Sequence, residues 1–274
     1  MGSVIFQKEG RIKMKQAVPI ALMLFMIIIA GNVSAETTII ELPVYRSAGQ
    51  FWLDKDGNLQ GFRLKVLEEL NKVLKKDAIE FRYRITEWGN IPIKRCIKGI
   101  LDGDYDAYFG LIYSEKREKK GLRYSKVEIY SIPTVVWMNK DNMFEYAGLE
   151  SLRGKNIGIV LGYPYLHDIR NPDFIVRRPE NDETNVKMLA DGMTDAAIDN
   201  IVRTGTVIAA MGFSDKITYA AKPFKVSKFH IAYNKNVPEH VGNKTDAALA
   251  KLHQSGVIKK ILDDNVYDPL SKQH

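Results

Sequence analysis

Asp102-Gly103-Asp104-Tyr105-Asp106-Ala107 returns 89 residues later as Asp191-Gly192-Met193-Thr194-Asp195-Ala196. Ahead of the first copy, Ile93, Ile97, Ile100 and Leu101 fall at helical spacing, and Tyr108-Phe109-Gly110-Leu111-Ile112 follows as an apolar run. Val186 and Leu189 precede the second copy, and Ala197-Ile198 follow it. The Gly stands where a helix end calls for a left-handed residue. A helix that stops on Gly and feeds a short buried strand is half of a βαβ unit, so two such units far apart predict two similar α/β lobes. Ligands of open parallel sheets bind beyond the carboxyl ends of the strands, which makes the residues after each copy the first place to look for a site. Six residues can also recur as ordinary turn chemistry, and the phrase alone leaves that open.

Working outward, Thr38 to Leu42 reads as a first strand and Asp56-Gly57-Asn58-Leu59 as a tight turn. Gly61 opens an amphipathic helix with Leu64, Leu67, Leu70 and Leu74 on one stripe. Ile79, Phe81, Tyr83 and Ile85 alternate with polar residues as a half-buried strand. Ser114 to Lys120 is a polar turn, and Ile132 to Met138 is another apolar run. Lys155 to Val160 begins a second βα series, with Gly162-Tyr163-Pro164-Tyr165 turning into a helix. Thr204 to Met211 reads as a helix, Phe229 to Tyr233 as a returning strand, and Thr245 to Val266 as two short helices broken at Gly256. No low-complexity linker intervenes, so the lobes are expected to be joined by structured crossings near residues 133–139 and 227–234. The division is residues 36–134 with 229–274 for lobe 1 and 135–228 for lobe 2.

Residues 1–35 read as a cleavable secretory signal. Lys8, Arg11, Lys13 and Lys15 precede an apolar stretch from Ala17 to Ala30, and Val33-Ser34-Ala35 supplies small residues at the cleavage point. The stretch is shorter than the ~20 residues of a membrane span. Either Met1 or Met14 can start a complete signal, and no Cys near the cleavage point offers a lipid anchor. A mature chain from Glu36 carries 36 basic and 32 acidic residues, a mild net +4 spread along its length. The densest basic cluster, Lys116 to Lys120, contains Glu118 beside Glu115 and lacks interleaved aromatics, so no nucleic-acid face is expected. Cys96 is the only cysteine, which excludes an intramolecular disulfide; its helical spacing makes it a buried small hydrophobe.

The five histidines have no metal-ligand spacing, and the chain holds none of HExxH, GxSxG, GxxxxGK[ST] or GxGxxG. These absences shift weight from catalysis to binding: no cofactor and no metal are expected. After the first repeat, Gly110 lets a ligand approach the backbone, and strand-end N–H groups with Arg117 can hold a carboxylate. Arg117 can equally pair with Glu87 or Glu115 on the surface.

The order and spacing of Asp56 to Phe62, Pro92 to Arg95, the two repeats, Ser114-Glu115-Lys116-Arg117, Ser151 to Gly158 and Leu252 to Gly256 resemble the family 3 extracellular solute-binding proteins, across essentially all of the mature chain. The resemblance implies a two-lobed, type II periplasmic-binding-protein-like fold. Each lobe would be a mixed, mostly parallel sheet flanked by helices, joined by two hinge crossings. It also implies a monomer in the periplasm that captures an amino acid or related small carboxylate and delivers it to a membrane ABC permease. Carried over by residue, Arg117 grips the α-carboxylate with backbone groups of Gly110 and Ile112 beside it. Trp88 lines the pocket wall, and Tyr163 stands where the second lobe offers a small hydroxyl residue.

Asn200 replaces the family's usual ammonium-binding Asp, with Asp199 one residue earlier and, by strand alternation, on the opposite face. Arg63 replaces the usual Asp after Gly61-Phe62, which points to packing or surface charge, and Arg95 is read as a lobe 1 salt bridge before a ligand contact. Two other readings stay open: an enzyme acting on a cyclic carboxylate, with Glu87 or Asp199 as acid or base, and a solute sensor.

Overall fold

The computed structural model describes residues 36–45, 47–85, 91–161, 169 and 173–265. The expected signal at 1–35, Trp88 and Glu87, and the Gly162 to Tyr165 turn lie outside the described residues. Among the described residues no helix is long and apolar enough to cross a membrane.

The chain opens with β1 (Thr38–Pro43), the short hairpin β2 (Trp52–Leu53) and β3 (Leu59–Gln60), then α1 (Phe62–Leu74) and β4 (Ile79–Arg84), which runs parallel to β1. On α1, Leu67, Leu70 and Leu74 of the expected stripe are buried together with Phe62 and Val66, while Leu64 is only half-buried, because the core-facing stripe runs through Phe62 and Val66. The buried residues pack with Ile40 and Leu42 of β1 and Ile79 and Phe81 of β4. The predicted alternation stops one residue early: β4 ends at Arg84, and Ile85 is 53% exposed.

The first repeat sits between α2 (Ile93–Asp102) and β5 (Ala107–Ile112), and the second between α4 (Asp182–Ala190) and β10 (Ala196–Asn200). Gly103 and Gly192 are both left-handed, at φ 91° and 72°. The final Asp of each copy does the same work. The Asp106 N–H donates to the Glu41 carbonyl (3.0 Å), and its carboxylate accepts from the Glu41 N–H (2.8 Å). The Asp195 N–H donates to the Asn156 carbonyl (2.8 Å), and its carboxylate accepts from the Asn156 N–H (2.7 Å). Each Asp therefore keys its strand onto a neighbouring one, Glu41 in β1 and Asn156 in β8 (Asn156–Gly158). A shared hydrogen-bond device at matching places is what chance turn chemistry does not produce.

After β5 come the one-turn helix α3 (Glu115–Glu118), where a turn was expected, β6 (Arg123–Tyr124) and the long strand β7 (Tyr130–Asn139). β8, β9 (Ile175–Arg177), α4, β10, α5 (Ile201–Ala210) and β11 (Ile217–Tyr219) follow, and β12 (Lys225–Tyr233) returns antiparallel to β7, pairing Lys225 with Thr134 through Phe229 with Tyr130. The main sheet runs β5-β12-β7-β10-β8-β9 with β7 and β12 paired at its centre. It is one mixed sheet, antiparallel from β5 to β10 and parallel only across β10-β8-β9, where mostly parallel sheets were expected, because β12 and β7 run back against their neighbours. α6 (Glu239–Gln254) and α7 (Val257–Asn265) close the described chain, broken at left-handed Gly256 as predicted, with α6 beginning six residues before the expected start. Val241, Ala248, Leu249 and Leu252 of α6 join the core under α1. Cys96 is fully buried, and burial pushes its thiol up to about 12, so it remains a neutral core group.

Candidate functional site

β5 carries the centre of the site. Its ladder with β12 pairs Phe109 with Ile231 and Leu111 with His230, which leaves Gly110 as an unpaired bulge at φ 97°. A side chain at Gly110 would meet the Tyr130 hydroxyl at 2.8 Å and the Arg63 guanidinium at 3.1 Å. The glycine thus lets two protein side chains close onto the strand, in the place where the sequence pointed to a ligand.

Arg63, expected to serve packing or surface charge, is only 3% exposed. Its Nε donates to the Tyr130 hydroxyl (3.1 Å) and its Nη2 to the Gln50 amide oxygen (3.0 Å), while its backbone N–H donates to the Gln50 carbonyl (3.0 Å). The partners are neutral: burial raises the Tyr130 phenol, with the Arg63 charge opposing, and it remains protonated. Among the described residues no carboxylate pairs with this guanidinium.

Gln50 goes on to donate from its side-chain nitrogen to Asn200 Oδ1 (3.4 Å). Asn200 Oδ1 also accepts from the Val202 and Arg203 N–H groups (2.9 and 3.1 Å), capping α5, and these donors fix the amide orientation. Its oxygen is therefore taken up, and the NH2 is its remaining hydrogen-bonding group. The cap also explains why α5 begins at Ile201, ahead of the expected Thr204. Asp199 points the other way, as strand alternation requires. It is fully buried and accepts from Arg203 Nε (3.1 Å), Arg203 Nη2 and the Thr204 hydroxyl (2.7 Å).

Arg117 lies half-buried on α3, with Nη1 donating to the Ile112 carbonyl at 3.4 Å. The expected alternative with Glu115 is not formed, since Glu115 pairs with Lys119. Arg117 is close enough to Tyr124 for its charge to act on that phenol, which burial raises. The Tyr124 hydroxyl is buried against the Arg117 guanidinium and the Ser114 backbone, both of which oppose the effect of burial. Arg95 is exposed on α2 and has no ion-pair partner among the described residues, so the predicted salt bridge does not form there. The structure thus brings Gly110, Ile112 and Arg117 together on β5 and α3, and ties Asn200 to Arg63 through Gln50. Trp88 and Tyr163 lie outside the described residues.

Gln50 and Tyr130 were not singled out from the sequence. Gln50 belongs to no periodic segment; its one local signal is Gly49, at φ 68°, where a Cβ would strike Thr206 Oγ1 at 2.2 Å. Among the described residues no cluster of His, Cys, Asp and Glu could hold a metal.

Residues 47–266 match the family model of the bacterial extracellular solute-binding proteins, family 3. The chain belongs to that family. No curated protein sequence matches it. Among solved structures, it is similar to ytmK from Bacillus subtilis, assigned as an amino-acid ABC transporter extracellular-binding protein (17% identity, 85% of this chain and 99% of that one, TM-score 0.68). It is also similar to an ABC transporter binding component from Wolinella succinogenes complexed with lysine (14% identity, 84% and 96%, TM-score 0.68). A histidine kinase sensor domain with similarity to periplasmic binding proteins superposes as well (18% identity, 85% and 99%, TM-score 0.64). At these identities the likeness carries the fold alone, and that fold is the periplasmic-binding-protein-like α/β architecture expected from the sequence.

Proposed function

We propose that this chain is exported to the periplasm, works there as a monomer, and captures a small carboxylate-bearing solute between two lobes for delivery to an ABC importer. Lobe 1 is residues 36–134 with 229–274 and lobe 2 is 135–228, with β7 and β12 as the crossings. The observation that carries the reading is the Gln50–Asn200 contact at 3.4 Å, which joins residues 150 positions apart, one from each proposed lobe, beside β5. Arg117 holds the carboxylate, with the Tyr124 hydroxyl beside it. Closing the crossings desolvates the pair and presents the closed form to the permease. Trp88 and Tyr163 complete the walls.

Catalysis finds less support. Asp199 is committed to Arg203 and Thr204, and an acid locked in an ion pair is poorly placed to exchange protons with a substrate. A sensory role has one observation in its favour, the sensor-domain likeness; solute uptake that depends on a permease separates transport from sensing.

The test is thermal denaturation against a panel of amino acids, amines, mono- and dicarboxylates, repeated with Arg117→Ala. A ligand at about a hundred times its Kd adds ~2.7 kcal/mol, a midpoint shift of roughly 5–10 °C for this size. Shifts by carboxylates that Arg117→Ala abolishes support the reading; shifts only by amines, or shifts indifferent to Arg117, refute it.

A further inference from the structure

We infer that Arg63 is a second anion-binding group of the same site, and that the solute is a short dicarboxylate held at one end by Arg117 and at the other by Arg63. The inference rests on the proposed carboxylate-binding role of Arg117 and adds the class of solute.

Four observations carry it. Arg63 is a buried guanidinium whose polar partners are a phenol and a carboxamide, so its desolvation is not compensated by any acid among the described residues. Gln50 holds the face of that guanidinium with a planar amide of nearly carboxylate shape, and a true carboxylate makes a stronger, charge-assisted contact to the same fork. Each arginine also has a buried tyrosine hydroxyl beside it, Tyr124 by Arg117 and Tyr83 by Arg63, and the Tyr83 hydroxyl has no hydrogen-bond partner among the described residues. Finally, Asn200 has its oxygen occupied and its NH2 left over, a donor that suits an anion and offers no countercharge to an ammonium.

Arg63 abuts β5 at Gly110 and Arg117 touches it at Ile112, so both cations meet one strand two residues apart, and a short solute with a carboxylate at each end suits the pair. On binding, the Gln50 side chain leaves Arg63, the second carboxylate takes its position, and the Tyr83 hydroxyl gains an acceptor.

The experiment titrates the purified protein calorimetrically with glutarate and with its half-amide, which differs only in replacing one carboxylate by a carboxamide. Wild type is expected to bind glutarate at least tenfold more tightly. Arg63→Gln equalises the two while circular dichroism stays unchanged, and Arg117→Ala loses both. Should Arg63→Gln not fold, Arg63→Lys serves: it keeps the charge but not the fork, and the preference falls severalfold. A half-amide bound as tightly as glutarate by wild type, or a preference that survives in the Arg63 variant, overturns the inference while leaving the Arg117 site standing. If neither these ligands nor any other carboxylate binds, both readings fall.

Discussion

Asp199→Asn separates a structural acid from a functional one. The carboxylate is fully buried, held by two donors of Arg203 and by the Thr204 hydroxyl, and Arg203 is itself only 15% exposed. Removing one partner of a buried pair costs about 3–5 kcal/mol, because the remaining charge is left desolvated. Asp182 lies 3.7 Å from Arg203 and takes up part of that charge, so the lower end, about 3 kcal/mol, is expected. For a protein of this size that is roughly 6–12 °C in Tm. Urea denaturation should show a lower midpoint at unchanged slope, and ligand affinity measured below the transition should not change. A double-mutant cycle with Arg203→Gln should return a coupling of at least about 1 kcal/mol. A loss of stability under 1 kcal/mol accompanied by lost binding or turnover would place Asp199 in the site and refute the argument.

Three further outcomes are expected. Gly110→Ala combines positive-φ strain with a Cβ 2.8 Å from the Tyr130 hydroxyl, and should destabilise by about 2–4 kcal/mol in urea melts; a change under 1 kcal/mol would mean that Arg63 and Tyr130 yield easily. Asn200→Asp keeps the cap of α5, but at a position 2% exposed the cost of burying its charge offsets the helix-dipole gain, so stability should hold or fall by about 1 kcal/mol, while calorimetry should show affinity moving from dicarboxylates toward α-amino acids. Glu128 is desolvated, yet its bonds to Lys228 (2.9 Å) and Ser131 (2.9 Å) prevail and lower its pKa. A depressed carboxyl stabilises above its unfolded value, about 4.3, and loses that contribution as pH falls through the folded value; Glu128→Gln should therefore be less stable than wild type at pH 7 by about 0.5–1 kcal/mol, with melts converging below about pH 4.

What the sequence disclosed is what local pattern controls. The stripe of α1, the glycine-ended helices before β5 and β10, and the opposed faces of Asp199 and Asn200 follow from periods of 3.6 and 2 residues. The burial of Arg63 does not. Its partners Gln50 and Tyr130 lie 13 and 67 residues away, and nothing local marks an arginine between Phe62 and Leu64 as interior. The bulge at Gly110 was hidden for the same reason, since it is defined by the register of β12 more than a hundred residues on. The first turn and a half of α6 escaped the sequence pattern because Gly242, Asn243 and Lys244 separate Val241 from the apolar positions that follow Thr245, although Val241 packs in the core on the same face.

The paired aspartates have a consequence for how such a site can diversify. Because Asp106 and Asp195 each grip the backbone of an adjacent strand with both N–H and carboxylate, the chain length between helix and strand is metered at that end. An inserted residue there would either break the grip or turn every side chain of β5 or β10 to the other face. The opposite end of β10 is fixed by the Asn200 cap of α5, whereas the end of β5 at Ile112 carries no paired aspartate grip of this kind. New specificities can therefore be written by lengthening and recolouring the end of β5, while the gauge that sets each strand against its neighbour stays untouched.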